Sequence, residues 1–240
     1  MSGKHGKPKA IFFDAGGTLF CPFPSVGDIY ASTASRFGTS CDPQVLEQGF
    51  HSAWQRRGGL ASLGSETSEA KERAWWYSLV REVFDGAEAM PDFDRFFEAL
   101  YGSFEEKSSW EIYPDVWETL SLLRERGFIV GIVSNWDLRL PRLVRNLGLL
   151  DQFDFVLGSS HCGATKPHPE IFQEALRRAR VRPQEAIHVG DSYEEDFLGA
   201  QPLGITAYLL DRDGGNNALI PDDFRITSLA ELSERIEIIS

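Results

Sequence analysis

Four short stretches of the chain hold residue types able to do chemistry on a small anionic ligand: Asp14-Ala15-Gly16-Gly17-Thr18, Ser134-Asn135, Lys166 ahead of Pro167-His168-Pro169, and Gly190-Asp191-Ser192 with Asp196 beyond it. Carboxylates suit a hard divalent ion such as Mg²⁺, which keeps waters and phosphate oxygens in its shell, and a lysine neutralises a bound anion. Each stretch also has a plain structural role. An Asp before a glycine pair makes a turn, Ser-Asn and Asp-Ser cap helices, Glu194, Glu195 and Asp196 favour the positive end of a helix, and a loop lysine is usually solvated. Whether the four stretches meet decides between these readings, and that depends on the elements around them.

Those elements alternate. Apolar, β-rich runs at Lys9–Phe13, Phe128–Val133, Phe153–Leu157, Ala186–Val189 and Ile205–Leu210 are interleaved with helical patterns, the signature of a parallel α/β sheet. One helix opens at Pro114 and closes at Gly127, with Val116, Trp117, Leu120 and Leu123 expected on one face. Further helices are expected at Leu140–Leu147, at Glu170–Arg180 with Ile171, Ala175, Leu176 and Ala179 in register, around Phe197, and from Ser228 to Ile238, beyond a Gly/Asn-rich loop at Asp211–Asp223. The first four strands each end on one of the reactive stretches. Ligands of open parallel sheets bind at those carboxyl ends, so independent caps and turns have no reason to fall there together.

Between the first and second strands the pattern is helical only. Segments at Ile29–Phe37, Pro43–Arg56, Ser68–Val83 and Phe93–Phe104, broken at Gly38, Gly58-Gly59 and Pro91, read as an inserted bundle. In the third, Ala74, Tyr77 and Val80-Arg81 recur at helical spacing, and Trp75-Trp76, like Trp110, reads as bundle core, with the lining of a binding surface or the substrate entrance as the alternative.

Composition narrows the class. The 240 residues carry 24 Lys and Arg against 36 Asp and Glu, a net charge of −12, which excludes a generally basic, nucleic-acid-coating protein. With 42% hydrophobic residues the chain can build a sizeable core. The basic start MSGKHGKPKA is followed only by Ile11-Phe12-Phe13, too short for a signal-peptide core, and reads as a frayed tail over its first eight residues. No run approaches the roughly 20 apolar residues of a membrane span. Cys21, Cys41 and Cys162 are odd in number and form no C-x-x-C pair, which speaks against structural zinc and for a reducing compartment. A cytoplasmic protein, monomer or homodimer, with a small-molecule partner rather than nucleic acid or membrane, is the expectation.

In order, FFDAGGTLF at Phe12–Phe20, IVSN at Ile132–Asn135, KPHPEIF at Lys166–Phe172 and GDSYEEDFLGA at Gly190–Ala200 resemble the four motifs of the haloacid dehalogenase superfamily of hydrolases. The runs SNWDLRL, QEALRRA and HVGDSY look most like one subgroup of it. The resemblance implies a Rossmann-like parallel sheet flanked by helices, formed by residues 1–20 and 111–240, with residues 21–110 as an inserted all-helical cap. It implies Asp14 as a nucleophile that forms an aspartyl-phosphate, Mg²⁺ held by Asp14, the Gly16 carbonyl and Asp191, and Asp196 behind them orienting a metal-bound water or the lysine. Ser134 and the Asn135 backbone would donate to phosphate oxygens beside Thr18, and Lys166 would offset charge on Asp14 and the phosphoryl group.

One position departs from the pattern. Phosphatases that resemble this chain carry a second Asp two residues after the nucleophile, the acid that protonates the leaving alkoxide; here it is Gly16. Branches that cleave carbon–halogen or carbon–phosphorus bonds also lack it. The dehalogenases use no metal and lack the Gly190-Asp191 pattern, and the phosphonate hydrolases need a cap lysine, for which the insert offers Lys71 and Lys107. Three readings stand: a Mg²⁺-dependent phosphatase for small or reactive phosphates, a carbon–heteroatom hydrolase, and a binding protein with little catalysis. His51 and His161 are the residues whose type could replace the missing acid.

Overall fold

A computed structural model describes residues 7–85, 90, 92–214 and 220–239. The first six residues, Pro91 and positions 215–219, expected above as tail, break and loop, lie outside the described residues. Strand β1 (Ala10–Phe13) leads into a short β2 (Phe20–Pro22), and four helices follow: α1 (Val26–Ser35), α2 (Pro43–Arg57), α3 (Glu69–Val83) and α4 (Phe93–Ser103). The chain returns through β3 (Trp110–Ile112), α5 (Val116–Glu125), β4 (Ile129–Ser134), α6 (Leu140–Asn146), β5 (Phe155–Gly158), the single turn α7 (Ser159–Cys162) and α8 (Pro169–Ala179). It ends with β6 (Ala186–Gly190), the single turn α9 (Leu198–Ala200), β7 (Thr206–Leu210), β8 (Arg225–Ile226) and α10 (Leu232–Ile239).

Six strands form one parallel sheet in the order β5-β4-β1-β6-β7-β8. Its strands are apolar on both faces because both are covered. Ile11, Phe13, Ile132 and Val189 face α5, α6 and α10, while Phe12, Val133, Ala186 and Leu209 face α8. On α8, Ile171, Ala175, Leu176 and Ala179 all point inward, as their spacing requires. On α5 the buried residues are Val116, Thr119, Leu120 and Leu123, whereas Trp117 is 42% exposed. That corrects the expectation: Trp117 lies about 100° round the helix from Val116 and belongs to the solvent side.

The four inserted helices share a separate aromatic-rich core around Tyr30, Leu79, Phe96, Phe97 and Leu100. Each begins at a polar cap, with Ser25, Asp42, Ser68 and Asp92 accepting from backbone N–H groups of Asp28, Gln44, Lys71 and Arg95. On α3 the inner face is Glu72, Trp75, Leu79 and Val80, while Ala74 and Arg81 are exposed and Tyr77 is partly so. Helix pairing, rather than the apolar spacing read along the chain, chose that face. Strands β2 and β3, a short antiparallel pair, join this block to the sheet, with Phe20 opposite Ile112 and Pro22 opposite Trp110. They went unread in the sequence because three-residue strands carry no period.

Candidate active site

Because β4, β1 and β6 are parallel neighbours, Ser134, Asp14 and Gly190-Asp191 leave the sheet at one edge, and the loop after β5 brings Lys166 to them. The Asp14 amide donates to the Val189 carbonyl at 2.9 Å, which locks the first reactive carboxylate to the fourth strand. Lys166 is fully enclosed, and its Nζ donates to Asp14 Oδ1 at 2.5 Å and to Asp196 Oδ1 at 2.5 Å. Asp196 also accepts from His188 Nε2 at 2.7 Å and from the Ser192 amide at 3.0 Å. One carboxylate oxygen each from Asp14, Asp191 and Asp196 lies within 4.8 Å of the other two.

Local backbone makes this convergence possible. Gly17 has φ +79°, and a Cβ there would sit 2.4 Å from Asp191 Oδ2; a Cβ on Gly190 would fall 2.1 Å from Asp196 Cγ. Residues Tyr193–Phe197 form a π-helical turn, the wide geometry that returns Asp196 toward the sheet, in place of the ordinary helix expected there.

The cluster forms the floor of a cavity of about 630 Å³ between the sheet edge and the inserted helices. Asp14, Gly16, Ser134, Asn135, Asp191 and Asp196 face it from the sheet, and side chains of the helical block, among them Tyr30, Phe50, Trp54, Trp76 and Phe97, face it from above. A family model described as haloacid dehalogenase-like hydrolase matches residues 8–204. The chain belongs to the haloacid dehalogenase-like hydrolase family. Haloacid dehalogenase-like hydrolase domain-containing protein 3 of Danio rerio is 34% identical over 231 residues, covering 95% of this chain and 96% of the relative. Its Homo sapiens counterpart is 33% identical, covering 93% and 92%. Among solved structures, a HAD phosphatase from Thermococcus onnurineus aligns with a TM-score of 0.69 at 28% identity, covering 94% of this chain and 96% of that one.

The charges of this haloacid dehalogenase-like floor do not balance by themselves: three carboxylates crowd around one lysine. Burial raises the Asp14 pKa, Lys166 opposes that and Asp196 adds to it, and the net direction is up. The enclosing cavity walls, then Asp14 and Asp196, push Asp191 up to about 8, although this carboxylate is open to the cavity. Burial also raises Asp196, but Lys166 and His188 outweigh it and hold its pKa well below the usual carboxylate range. For Lys166, burial works against the charged form, and Asp14, Asp196 and Glu195 more than reverse it, so its pKa rises. A group of hard oxygen ligands with surplus negative charge is what a divalent cation neutralises, so the donor set fits the metal that the family motifs imply.

Other expected site residues take different stations. Thr18 is fully buried; its hydroxyl donates to Asp191 Oδ1 at 3.1 Å, so it holds a carboxylate rather than facing the cavity. Asn135 uses its side chain, accepting from the Lys166 amide at 2.6 Å and donating to the Lys166 carbonyl at 2.9 Å and to Glu195 at 2.7 Å. His51 lines the cavity and pairs with Glu47 at 2.9 Å, whereas His161 lies in a separate depression with Cys162 and Glu174. Lys71 and Lys107 are exposed and outside the cavity lining.

Three residues of the site escaped sequence reasoning. His188 is completely buried in β6 opposite Phe12, and its one signal was a histidine within an otherwise apolar strand. Glu195 reads as one of three acidic residues at a helix start, yet burial pushes it up to about 7 beside Asn135. Trp136 follows Asn135 directly, and nothing local marks it as a cavity wall.

Proposed function

We propose that the protein is a Mg²⁺-dependent phosphatase acting on a small phosphorylated metabolite, with residues 21–110 serving as a cap over a core of residues 1–20 and 111–240. The observation that carries this reading is Asp14, fixed at the cavity floor by Lys166 and clustered with Asp191 and Asp196. Mg²⁺, held by Asp14, Asp191 and the Gly16 carbonyl, would supply charge neutralisation to the phosphoryl oxygens. Asp14 attacks phosphorus, the bond from phosphorus to the leaving oxygen breaks, and water then hydrolyses the aspartyl-phosphate to return the carboxylate and free phosphate. Lys166 favours the ionised form of Asp14 against the effect of burial and offsets charge gathering on the phosphoryl group, while Asp196 and His188 hold the lysine in place. Ser134, which also reaches Asp14, donates to a phosphoryl oxygen. Motion of the cap would gate water. The odd number of cysteines and the lack of a C-x-x-C pair support a cytoplasmic location.

The Gly16 position favours one competing reading, carbon–halogen cleavage, where the leaving group needs no proton. The carboxylate cluster favours the phosphatase, because halide release gains nothing from surplus negative charge beside the nucleophile. Phosphate release from acetyl phosphate, p-nitrophenyl phosphate and sugar and nucleoside monophosphates, with Mg²⁺ and with chelator, tests the choice. Turnover should need both the cation and Asp14, with Asp14→Asn at least about 10³-fold slower on an intact fold, on the scale of losing a nucleophile. Asp14→Asn retaining most of the rate sinks the mechanism, and halide release in chelator would replace it.

A further inference from the structure

Resting on that phosphatase reading, we propose that the organic portion of the substrate is a flat, uncharged aromatic group, that is, an aryl phosphate seated against Trp136. The cavity, at about 630 Å³, is of the size that encloses a drug-sized ligand rather than phosphate alone. Its walls are aromatic. Trp54 lies 5.5 Å from Trp76 and 5.8 Å from Phe50, and Trp136 packs at 5.3 Å from Trp110 and 5.9 Å from Phe20. Such faces stack on a planar ring but leave the hydroxyls of a sugar without partners, at a cost for each.

Charge points the same way. Arg139 is the cation in the lining, and it is committed: it forks onto Asp137 at 2.8 and 2.7 Å, donates to the Tyr101 carbonyl at 2.6 Å and sits 3.4 Å over the Tyr101 ring. Glu47, paired with His51, adds negative charge to the lining. A second phosphate or a carboxylate on the substrate would meet no uncommitted cation among the described lining residues.

The leaving group supplies an independent argument. A Cβ on Gly16 would lie 3.2 Å from Trp136 Cζ3, so the indole closes over the place from which a second aspartate would protonate the departing oxygen. Without that proton the leaving group must depart as an anion. A phenol, with a pKa near 10, does so far more readily than an alkanol, whose pKa is close to the roughly 15.7 of water. The ring that fits the wall is also the ring that leaves unaided.

The test measures kcat/KM for 2-naphthyl phosphate, phenyl phosphate, glucose 6-phosphate and acetyl phosphate with wild type, Asp14→Asn, Trp136→Ala and Trp136→Phe. Naphthyl phosphate should exceed phenyl phosphate severalfold at a nearly equal leaving-group pKa, and glucose 6-phosphate by at least about 100-fold. Trp136→Ala should lower the naphthyl-to-acetyl ratio about tenfold, and Trp136→Phe, which keeps a flat ring, should hold it within about threefold. Asp14-dependent turnover with naphthyl phosphate and glucose 6-phosphate alike overturns this inference and leaves the phosphatase standing. A ratio unmoved by Trp136→Ala overturns the seat. Silence on all four, acetyl phosphate included, overturns both readings.

Discussion

The two sides of the cavity are built on opposite principles. The floor is polar and fully specified: Lys166, Asp14, Asp196, His188 and the Ser192 amide each have a named partner within 3.0 Å, all set by parallel strand ends. The walls are apolar faces gathered from helices that meet only in three dimensions, with Trp136 a large ring contributed by the loop after β4. On the phosphatase reading the floor decides what bond breaks and the walls decide whose bond it is. Changes to the floor should therefore act on every substrate, and changes to the walls should act on the ratio between substrates.

The sharpest way to break that division, after Asp14→Asn, is to remove the floor's cation. Lys166→Met leaves Asp14 and Asp196 facing each other in a buried site, and stranding one side of a buried ion pair costs about 3–5 kcal/mol. Urea denaturation should show a loss of that size near pH 8 and a smaller one near pH 5, where the stranded carboxylates escape by binding protons. Turnover should fall on all substrates together. A loss below about 1 kcal/mol at pH 8 would mean the floor does not depend on its lysine.

The same contrast explains what was readable in the chain. Asp14, Ser134, Lys166, Asp191 and Asp196 could be placed at one edge because parallel strands must end there, and that constraint is local to each strand and its neighbours. His188 could not, because a lone histidine in an apolar strand carries no sign that its ring meets Asp196 eight residues on. Trp136 and Trp54 could not either, and Trp76 could be read only as bundle core or entrance lining without a choice between them. Their meeting depends on how α2 and α3 pack and on where the helical block rests over the sheet, and the same blindness put Trp117 on the wrong side of α5.

A substitution at the seam between floor and wall is the next test in size. Gly16→Asp returns a carboxyl to the acid's usual place but pushes on Trp136. Alone it should raise the alkyl-to-aryl ratio of kcat/KM about tenfold, part of the roughly 10²–10⁴ that general acid catalysis can give. Combined with Trp136→Ala the two effects should not add, since the residues touch. Additive changes, or equal effects on alkyl and aryl phosphates, would separate Gly16 from the wall and from the leaving group alike.

The smallest expected effect concerns how the walls are fastened down. Glu72 of α3 is completely buried and, unlike Asp196, has no cation; it accepts instead from Thr67 at 2.9 Å, Ser159 at 2.7 Å and Ser160 at 2.6 Å, tying the helical block to the loop after β5. Burial raises its pKa and the three hydroxyls only partly offset this, the reverse of the outcome at Asp196. A group whose folded pKa is raised contributes stability in full below its unfolded value and loses it as pH climbs through the folded one. Glu72 should therefore weaken the seam as pH rises above the ordinary carboxylate range. Glu72→Gln keeps one acceptor for Thr67 and Ser159 and offers an N–H to the Ser160 oxygen, without a charge to bury. Its stability relative to wild type should rise between pH 5 and pH 8 by about 1 kcal/mol, the scale of one buried polar group. A difference that stays flat with pH would show that Glu72 titrates as it does in water, and that the walls are held by apolar packing alone.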